Sequence, residues 1–192
     1  MILIAIGANL SSSKYGPPRA TCGAALDALA EGALNIAARS RWYKSAPVPV
    51  SDQPWFVNAV VQIKTALPPA ALMSLLLETE EAMGRMRSEP NAPRILDLDL
   101  LAYDEMVLSP DNAAQDEPPL HLPHPRLQER AFVLLPLRDI APGWRHPVDG
   151  SGVDEMIARL GDGQQAEAMA DAAGVFGTEW LEKAAKDAPQ GK

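Results

Sequence analysis

Two aspartates, Asp97 and Asp99, stand inside a run that otherwise has the composition of a buried β-strand, RILDLDLLAYDE at 94–105. Successive side chains along a strand point to opposite faces of the sheet. The two carboxylates should therefore share one face with Leu101 and Tyr103, and the other face should carry Leu96, Leu98, Leu100 and Ala102. Neighbouring carboxylates resist leaving water unless a cation compensates them. A divalent metal such as Mg²⁺ could compensate the two carboxylates, and so could an ion pair with a base such as Arg94. The pattern alone leaves both interpretations open.

Three arginines, Arg85, Arg87 and Arg94, lie in the loop that leads into this strand. Guanidinium groups stay charged and donate hydrogen bonds in a planar fork, which suits phosphate oxygens. Beside a pair of candidate metal ligands they indicate a polyphosphate, and the alternative is a solvated loop that neutralises nearby acids. Neither a G-x-x-x-x-G-K-[ST] loop nor a G-x-G-x-x-G turn occurs after a strand. A nucleotide would therefore depend on metal and arginine for its phosphates.

Phe56 and Asn58 fall on the face of their strand that the alternation turns away from the core. An aromatic ring and an amide on one surface can hold a planar heterocycle by stacking and paired hydrogen bonds. Phe132 is a candidate for a second wall. The alternative is a half-buried surface Phe56 and a Phe132 on the apolar face of its helix, and spacing does not separate the two.

The segment HLPHPRLQER places His121, His124, Arg126 and Arg130 close together. An H-x-x-H pair can belong to a zinc site, but zinc sites need further ligands. A phosphate contact or a structural role is the better interpretation of these residues.

The elements that must position these side chains follow from periodicity. The predicted order is strand 2–6, helix 20–34, strand 36–45, strand 55–65, helix 69–83, and the strand that carries the aspartates. On the strand at 55–65 the core face should carry Val57, Ala59, Val61 and Ile63. This β-α-β-β-α-β order predicts an α+β fold of the ferredoxin-like type, with a four-stranded antiparallel sheet and its helices packed on one face. A further helix near 126–139 and a C-terminal segment are helical additions to that core.

Composition favours one globular domain over residues 1–160, followed by an extension at 161–192 that is a peripheral helix or partly disordered. The 192 residues include 47% hydrophobic residues and carry a net charge of −8, which disfavours binding to nucleic acid or an anionic membrane. The single cysteine, Cys22, excludes an intramolecular disulfide. With no basic leader and no long apolar run, a cytoplasmic protein is expected.

The motifs taken together resemble the 6-hydroxymethyl-7,8-dihydropterin pyrophosphokinases of folate biosynthesis. The matching pieces are IAIGANL, SDQPWFVNAVV, EEAMGRMR, PRILDLDLLAYDE, LPHPRLQERAFVLLPLRDIAP and HPVDG, in family order across roughly residues 2–150. The resemblance implies the ferredoxin-like fold. It also implies transfer of the pyrophosphoryl group of ATP to the pterin hydroxymethyl group, with release of AMP.

Roles for individual residues follow from the same resemblance. It implies that Asp97 and Asp99 bind two Mg²⁺ ions with ATP, and that Arg85 and Arg94 are catalytic residues on the transferring phosphates. The implied ATP contacts are Glu80, Arg87, His124 and Arg130. The implied pterin contacts are Ser45, Ala46, Val48, Phe56, Asn58 and Phe132. The expected partners are ATP and the pterin, with a monomeric chain.

Three features depart from the family pattern. Ser88, Asn91 and Ala92 stand where some relatives carry a basic residue and a tryptophan. Pro125 follows His124, and His121 occupies a position where a small hydroxyl residue is common. The third departure is the tail after about residue 150, which is longer than in the shortest relatives. Two other functions stay open from the residues alone: another two-metal phosphotransferase, which would not need the two phenylalanines, and a non-catalytic ligand-binding module.

Overall fold

An antiparallel sheet of six strands forms the middle of this computed structural model, which describes residues 1–85, 92–109 and 120–170. The strands are β1 (Ile2–Ala8), β2 (Asn35–Arg39), β3 (Tyr43–Ser45), β4 (Phe56–Lys64), β5 (Asp97–Tyr103) and β6 (Ala166–Ala168). The α-helices are α1 (Pro18–Glu31), α2 (Pro69–Ala82), α3 (Ala131–Ile140) and α4 (Val153–Ala158). The strand order is β5-β1-β4-β3-β6, with β2 also paired to β4. The predicted mixed fold with an antiparallel sheet is confirmed, and none of the helices in the described ranges could cross a membrane.

The predicted count of four strands is wrong, for two reasons. The stretch predicted as one strand at 36–45 is divided into β2 and β3 around Ser40, which exchanges two hydrogen bonds with Val60. The Ser40 hydroxyl, and not a backbone carbonyl, accepts the bond from the Val60 N–H, so the ladder is interrupted there. The other added strand is β6, which pairs with β3 where the sequence predicted a peripheral helix or partial disorder. Residues 171–192 of that predicted extension lie outside the described residues.

The helices α1 and α2 cover one face of the sheet, as predicted. Each starts at a proline, Pro18 or Pro69, whose missing N–H is not needed in the first turn of a helix. The core beneath them contains the predicted face of β4, namely Val57, Ala59, Val61 and Ile63. Regular alternation along β4 therefore fixes which face of the sheet lies against these helices.

The opposite face of the sheet is covered only in part. There α3 and α4 pack over Leu3, Val60 and Leu101 through residues such as Leu134 and Met156. A short turn of 3-10 helix at Leu127–Glu129 precedes α3, so the helix predicted near residue 126 begins five residues later. The remaining part of this face is left for the side chains that could do chemistry.

A β-bulge in β5 changes which residues share a face. Ile4 of β1 pairs with Leu100 and Leu3 pairs with Ala102, so Leu101 is the extra residue. Before the bulge the alternation holds, and Leu96, Leu98 and Leu100 lie in the core under α1 and α2. After it the faces are exchanged, and Tyr103 packs on that same core while Ala102 joins the cluster under α3 and α4. The prediction that Tyr103 shares the face of Asp97 and Asp99 is therefore wrong.

Candidate active site

The uncovered part of the sheet face is the floor of a cavity of about 270 Å³. The strands β1, β4 and β5 supply its floor, and the proline-rich segment after β3 supplies one wall. Arg85, Arg94, His124 and the residues at the start of α3 supply the rest. Every site residue predicted from the sequence lines this cavity except Glu80 and Arg87. Arg87 lies outside the described residues.

Asp97 is held between two arginines. Its Oδ1 accepts a hydrogen bond from Arg85 Nη1 at 2.6 Å, and its Oδ2 accepts one from Arg94 Nη1 at 2.8 Å. All three side chains are between a fifth and a quarter exposed. Such charge-assisted bonds are stronger than neutral ones, so Asp97 and the two arginines form one electrostatic unit.

Asp99 faces a second set of groups on the same side of β5. Its Oδ2 lies 3.5 Å from Arg130 Nη1 and 3.9 Å from His124 Nε2. Burial and the neighbouring charge of Asp97 raise the pKa of Asp99 above its usual range, against the opposing effect of Arg130. A carboxylate in this position gains from any added cation.

His124 is a neutral group at physiological pH. Burial and the charge of Arg130 lower the pKa of its imidazole to about 4. Its Nδ1 accepts a hydrogen bond from the Arg126 N–H at 3.1 Å, so the ring proton lies on Nε2, the atom nearest to Asp99. His124 therefore presents a hydrogen-bond donor to the cavity without adding a charge.

Glu80 lies behind this site rather than in it. Its carboxylate is 2% exposed, accepts a hydrogen bond from the Leu98 N–H at 2.7 Å, and is in contact with Arg85 Nη1. Burial raises the pKa of Glu80 to about 7, although the bond from Leu98 and the charge of Arg85 act in the other direction. The geometry makes Glu80 a support for Arg85, and its predicted contact with ATP stays a prediction.

Asn9 holds the backbone of Arg94 in place. The Arg94 N–H donates to Asn9 Oδ1 at 2.7 Å, and the Asn9 N–H donates to the Arg94 carbonyl at 3.0 Å. The Asn9 Nδ2 also donates to the Pro54 carbonyl at 3.1 Å, and the side chain is buried. Asn9, the residue that follows β1, thus joins the backbone at Arg94 to the proline-rich wall. Asn9 was not among the predicted site residues, and no local pattern signals a partner 85 residues away.

The other end of the cavity is aromatic, and it adjoins the charged residues because the guanidinium carbon of Arg130 lies 5.5 Å from the centroid of the Phe132 ring. Phe56 and Phe132 both line it, together with Asn58 of β4. The Asn58 Nδ2 donates to Ser45 Oγ at 2.8 Å, which fixes the orientation of the amide. A Cβ atom on Gly7 would lie only 2.8 Å from Asn58 Oδ1, so the glycine provides the space that the amide occupies. Gly7 was not among the predicted site residues.

Comparison with models of protein families identifies the family of this chain. A model described as 7,8-dihydro-6-hydroxymethylpterin-pyrophosphokinase (HPPK) matches residues 3–142. The chain belongs to this family. The resemblance read from the motifs is thereby confirmed.

Similar proteins from two bacteria carry the same description. The 2-amino-4-hydroxy-6-hydroxymethyldihydropteridine pyrophosphokinase of Pseudomonas aeruginosa is 40% identical over 158 residues, which cover 82% of this chain and 90% of that protein. The corresponding protein of Methylorubrum extorquens is 38% identical over 149 residues, covering 77% of this chain and 89% of that protein.

Solved structures support the fold. The crystal structure of Plasmodium falciparum HPPK-DHPS wild type with SDX-DHP matches with a TM-score of 0.60 at 15% identity, covering 82% of this chain and 43% of that chain. At this level of identity the match supports the architecture, and the residues of the site must be argued from their own geometry.

The two aspartates of this HPPK family member suit Mg²⁺ by their donor chemistry. Mg²⁺ takes oxygen ligands and is usually bound through one or two carboxylates together with water and substrate phosphates. Within the described ranges there is no cluster of three or more His, Cys, Asp or Glu side chains that could hold a metal. Asp97 and Asp99 therefore fit an ion that is shared with a phosphate substrate, and they do not fit a cage built by the protein alone.

Proposed function

We propose that the cavity transfers the pyrophosphoryl group of ATP to the hydroxymethyl group of 6-hydroxymethyl-7,8-dihydropterin, with release of AMP. As a member of the HPPK family the chain is a pyrophosphokinase of folate biosynthesis. The observation that supports these roles is that one cavity is lined both by two carboxylates with three arginines and by two phenylalanines with an amide.

The fold that holds these side chains is, in our proposal, ferredoxin-like. The central order β5-β1-β4-β3 is that of a β-α-β-β-α-β unit whose second strand is divided into β2 and β3. A monomeric state and a cytoplasmic location stay predictions from the sequence.

The charged end is proposed to bind the triphosphate. Arg85 and Arg94 would move from Asp97 to phosphate oxygens, since a guanidinium group suits either acceptor. Arg130 and the Nε2–H of His124 would donate to the nucleotide from the other side. Asp97 and Asp99 would hold Mg²⁺, which when bound neutralises phosphate charge and orients the triphosphate.

The aromatic end is proposed to bind the pterin ring. Phe56 and Phe132 would stack on its two faces. Asn58, held by Ser45, would bond to the edge of the ring with its amide. The backbone of Ala46 and Val48 lines the same end and offers further hydrogen-bonding groups.

The chemical step needs positioning and charge stabilisation and forms no covalent bond to the protein. The hydroxymethyl oxygen bonds to the β-phosphorus of ATP and loses its proton to water. The bond between the β-phosphorus and the oxygen bridging to the α-phosphate breaks, and that oxygen leaves with AMP. Holding the two substrates in line supplies much of the acceleration. The arginines supply more, by stabilising the charge that develops on the transferring group.

An AMP-release assay with Asp97→Asn tests the proposal. The wild-type chain should form AMP from ATP only when both pterin and Mg²⁺ are present. Asp97→Asn should lose turnover by at least about a hundredfold with the fold retained, because a metal ligand and the partner of two arginines is neutralised. Asp162→Asn, in an exposed turn, makes the same chemical change as a control. AMP formation without pterin, or equal rates in the two variants, would contradict the proposal.

A further inference from the structure

The segment 164–170 lies beyond the stretch that matches the family, residues 3–142, and yet packs against the cavity walls. Its strand β6 pairs with β3 at Tyr43, Lys44 and Ser45, and Ser45 itself lines the cavity. Directly before β6, the backbone carbonyl of residue 165 accepts a hydrogen bond from the Ala46 N–H at 3.0 Å. The segment therefore continues the sheet alongside the wall that begins at Ser45.

Gln164 connects the same segment to the cavity wall at the start of α3. Its Oε1 accepts a hydrogen bond from the Ala131 N–H at 2.8 Å, and its Nε2 donates to the Glu129 carbonyl at 2.7 Å. The two bonded groups lie on either side of Arg130 in the chain. Ala131 is also the first residue of α3, followed at once by Phe132. A single side chain thus fixes the backbone from which Arg130 and Phe132 project.

The end of the segment is anchored elsewhere in the fold. The Met169 N–H donates to the Trp42 carbonyl at 2.8 Å, and the Met169 side chain packs on the core under α1 and α2. Arg19 Nη1 donates to the Ala170 carbonyl at 2.9 Å, and Arg19 is itself buried. Because both ends of the segment are tied to the fold, the position of Gln164 is fixed relative to the sheet.

We propose that residues 164–170 form a brace for the substrate cavity and that Gln164 is a positioning residue for Arg130 and Phe132. The Gln164 amide bonds to the backbone on both sides of Arg130 at the start of α3, while the adjoining backbone holds Ala46 on the facing wall. The brace keeps the two walls at the separation that the ring requires. This inference rests on the proposed function, because it assigns Phe132 to the pterin.

The test compares Gln164→Ala with Gln165→Ala in the full chain. The two neighbours are the same residue type, but the Gln165 side chain is exposed and the substitution keeps the backbone carbonyl that bonds to Ala46. Binding of 6-hydroxymethylpterin is measured by titration calorimetry at a temperature where thermal melts show each variant to be folded. Gln164→Ala should raise Kd on the order of fivefold to tenfold, as expected for the loss of two hydrogen bonds that preorganise a wall. Gln165→Ala should bind as the wild type does.

A double-mutant cycle with Phe132→Ala separates positioning from general stability. If Gln164 acts through Phe132, Gln164→Ala should weaken pterin binding much less when Phe132 is already absent. Gln164→Glu keeps the acceptor for the Ala131 N–H and loses the donor to Glu129, so its Kd should lie between those of the wild type and Gln164→Ala. This variant replaces Gln164→Ala in the test if the alanine variant does not fold.

The outcomes distinguish the two proposals. Equal Kd values for the Gln164 and Gln165 variants, or full additivity with Phe132→Ala, would overturn the brace while wild-type AMP formation persists. A wild-type chain that neither binds pterin nor releases AMP would overturn the proposed function instead.

Discussion

The substitution Gly7→Ala tests whether the pterin end depends on space left open by β1. A Cβ atom at this position would lie 2.8 Å from Asn58 Oδ1 and 3.6 Å from the Val57 carbonyl oxygen. Real Cβ atoms essentially never approach other atoms within 3.0 Å, so the Asn58 amide would have to shift. It is 5% exposed and tied to Ser45 Oγ at 2.8 Å, which leaves it little room to do so.

The size of the effect follows from these contacts. Extra atoms in a well-packed interior cost about 1–3 kcal/mol, and loss of the Ser45 hydrogen bond costs about 1 kcal/mol. If about 1.4 kcal/mol of this cost appears as misplacement of the Asn58 amide, Kd for the pterin rises about tenfold. Binding of ATP should change less, because the nearest atoms that a Cβ at Gly7 would meet belong to Asn58 and Val57 and not to the residues proposed for the phosphates.

Calorimetric titration with 6-hydroxymethylpterin and with a non-hydrolysable ATP analogue measures both affinities. Gly143→Ala is a matched control, since a Cβ at that position would meet nothing within 4 Å. Pterin affinity that is unchanged in Gly7→Ala, or that falls equally in the control, would refute the steric argument.

Two further predictions concern the charged end. Arg94→Ala should lower kcat by about a hundredfold or more, while the Kd values for both substrates change much less, because a residue that stabilises developing charge acts mainly in the transition state. The control is Arg138→Ala, which is remote from the cavity. An unchanged kcat would remove Arg94 from the catalytic role. Glu80→Gln should flatten the pH dependence of unfolding. The pKa of the Glu80 carboxyl is near 4.5 in the unfolded chain and about 7 in the folded protein, so the folded state binds more protons between these pH values. The stabilisation present below pH 4.5 is therefore lost as the pH rises to 7. Glu80→Gln keeps the acceptor for the Leu98 N–H and should remove this pH-dependent loss of unfolding free energy, which is on the order of 1–3 kcal/mol. Urea unfolding that gives parallel pH profiles for the variant and the wild type would contradict this prediction.

The sequence predicted those parts of the fold that depend on local periodicity. The helices α1 and α2, the strand β4 and its core face all follow from spacing within a single segment. The bulge at Leu101 could not be predicted in this way, since it depends on how β5 is paired with β1. The division at Ser40 was missed for the same reason, because the bonds that cause it reach Val60, twenty residues further along the chain.

The candidate site shows the same limit. The types of Asp97, Asp99 and the arginines indicated a phosphate site, while spacing left open whether Phe56 and Phe132 share one pocket, and the family resemblance favoured that they do. The residues that hold the site in place, Asn9 and Gln164, act through contacts 85 and 33 residues apart in sequence. Polar side chains that bond to distant backbone leave no periodic trace, so only the assembled structure reveals them.

The ion pairs at the charged end also carry a thermodynamic consequence. Among the described residues, Arg85, Arg94 and Arg130 face Glu80, Asp97 and Asp99, so the site supplies its own counterions. A metal ion that took Asp97 alone would leave Arg94 without its carboxylate and Arg85 with Glu80 alone, and a phosphate that drew both arginines away would leave Asp97 without a counterion. Unpaired charge is costly in a half-buried site.

Binding of the cation alone or of the phosphate alone therefore breaks ion pairs within the site, whereas binding of both replaces those ion pairs with contacts to the two ligands. The cation and the phosphate should consequently bind with positive cooperativity, and by linkage each raises the affinity of the other by the same factor. On the proposed function, these salt bridges would therefore favour a nucleotide that arrives with its metal over either ligand by itself.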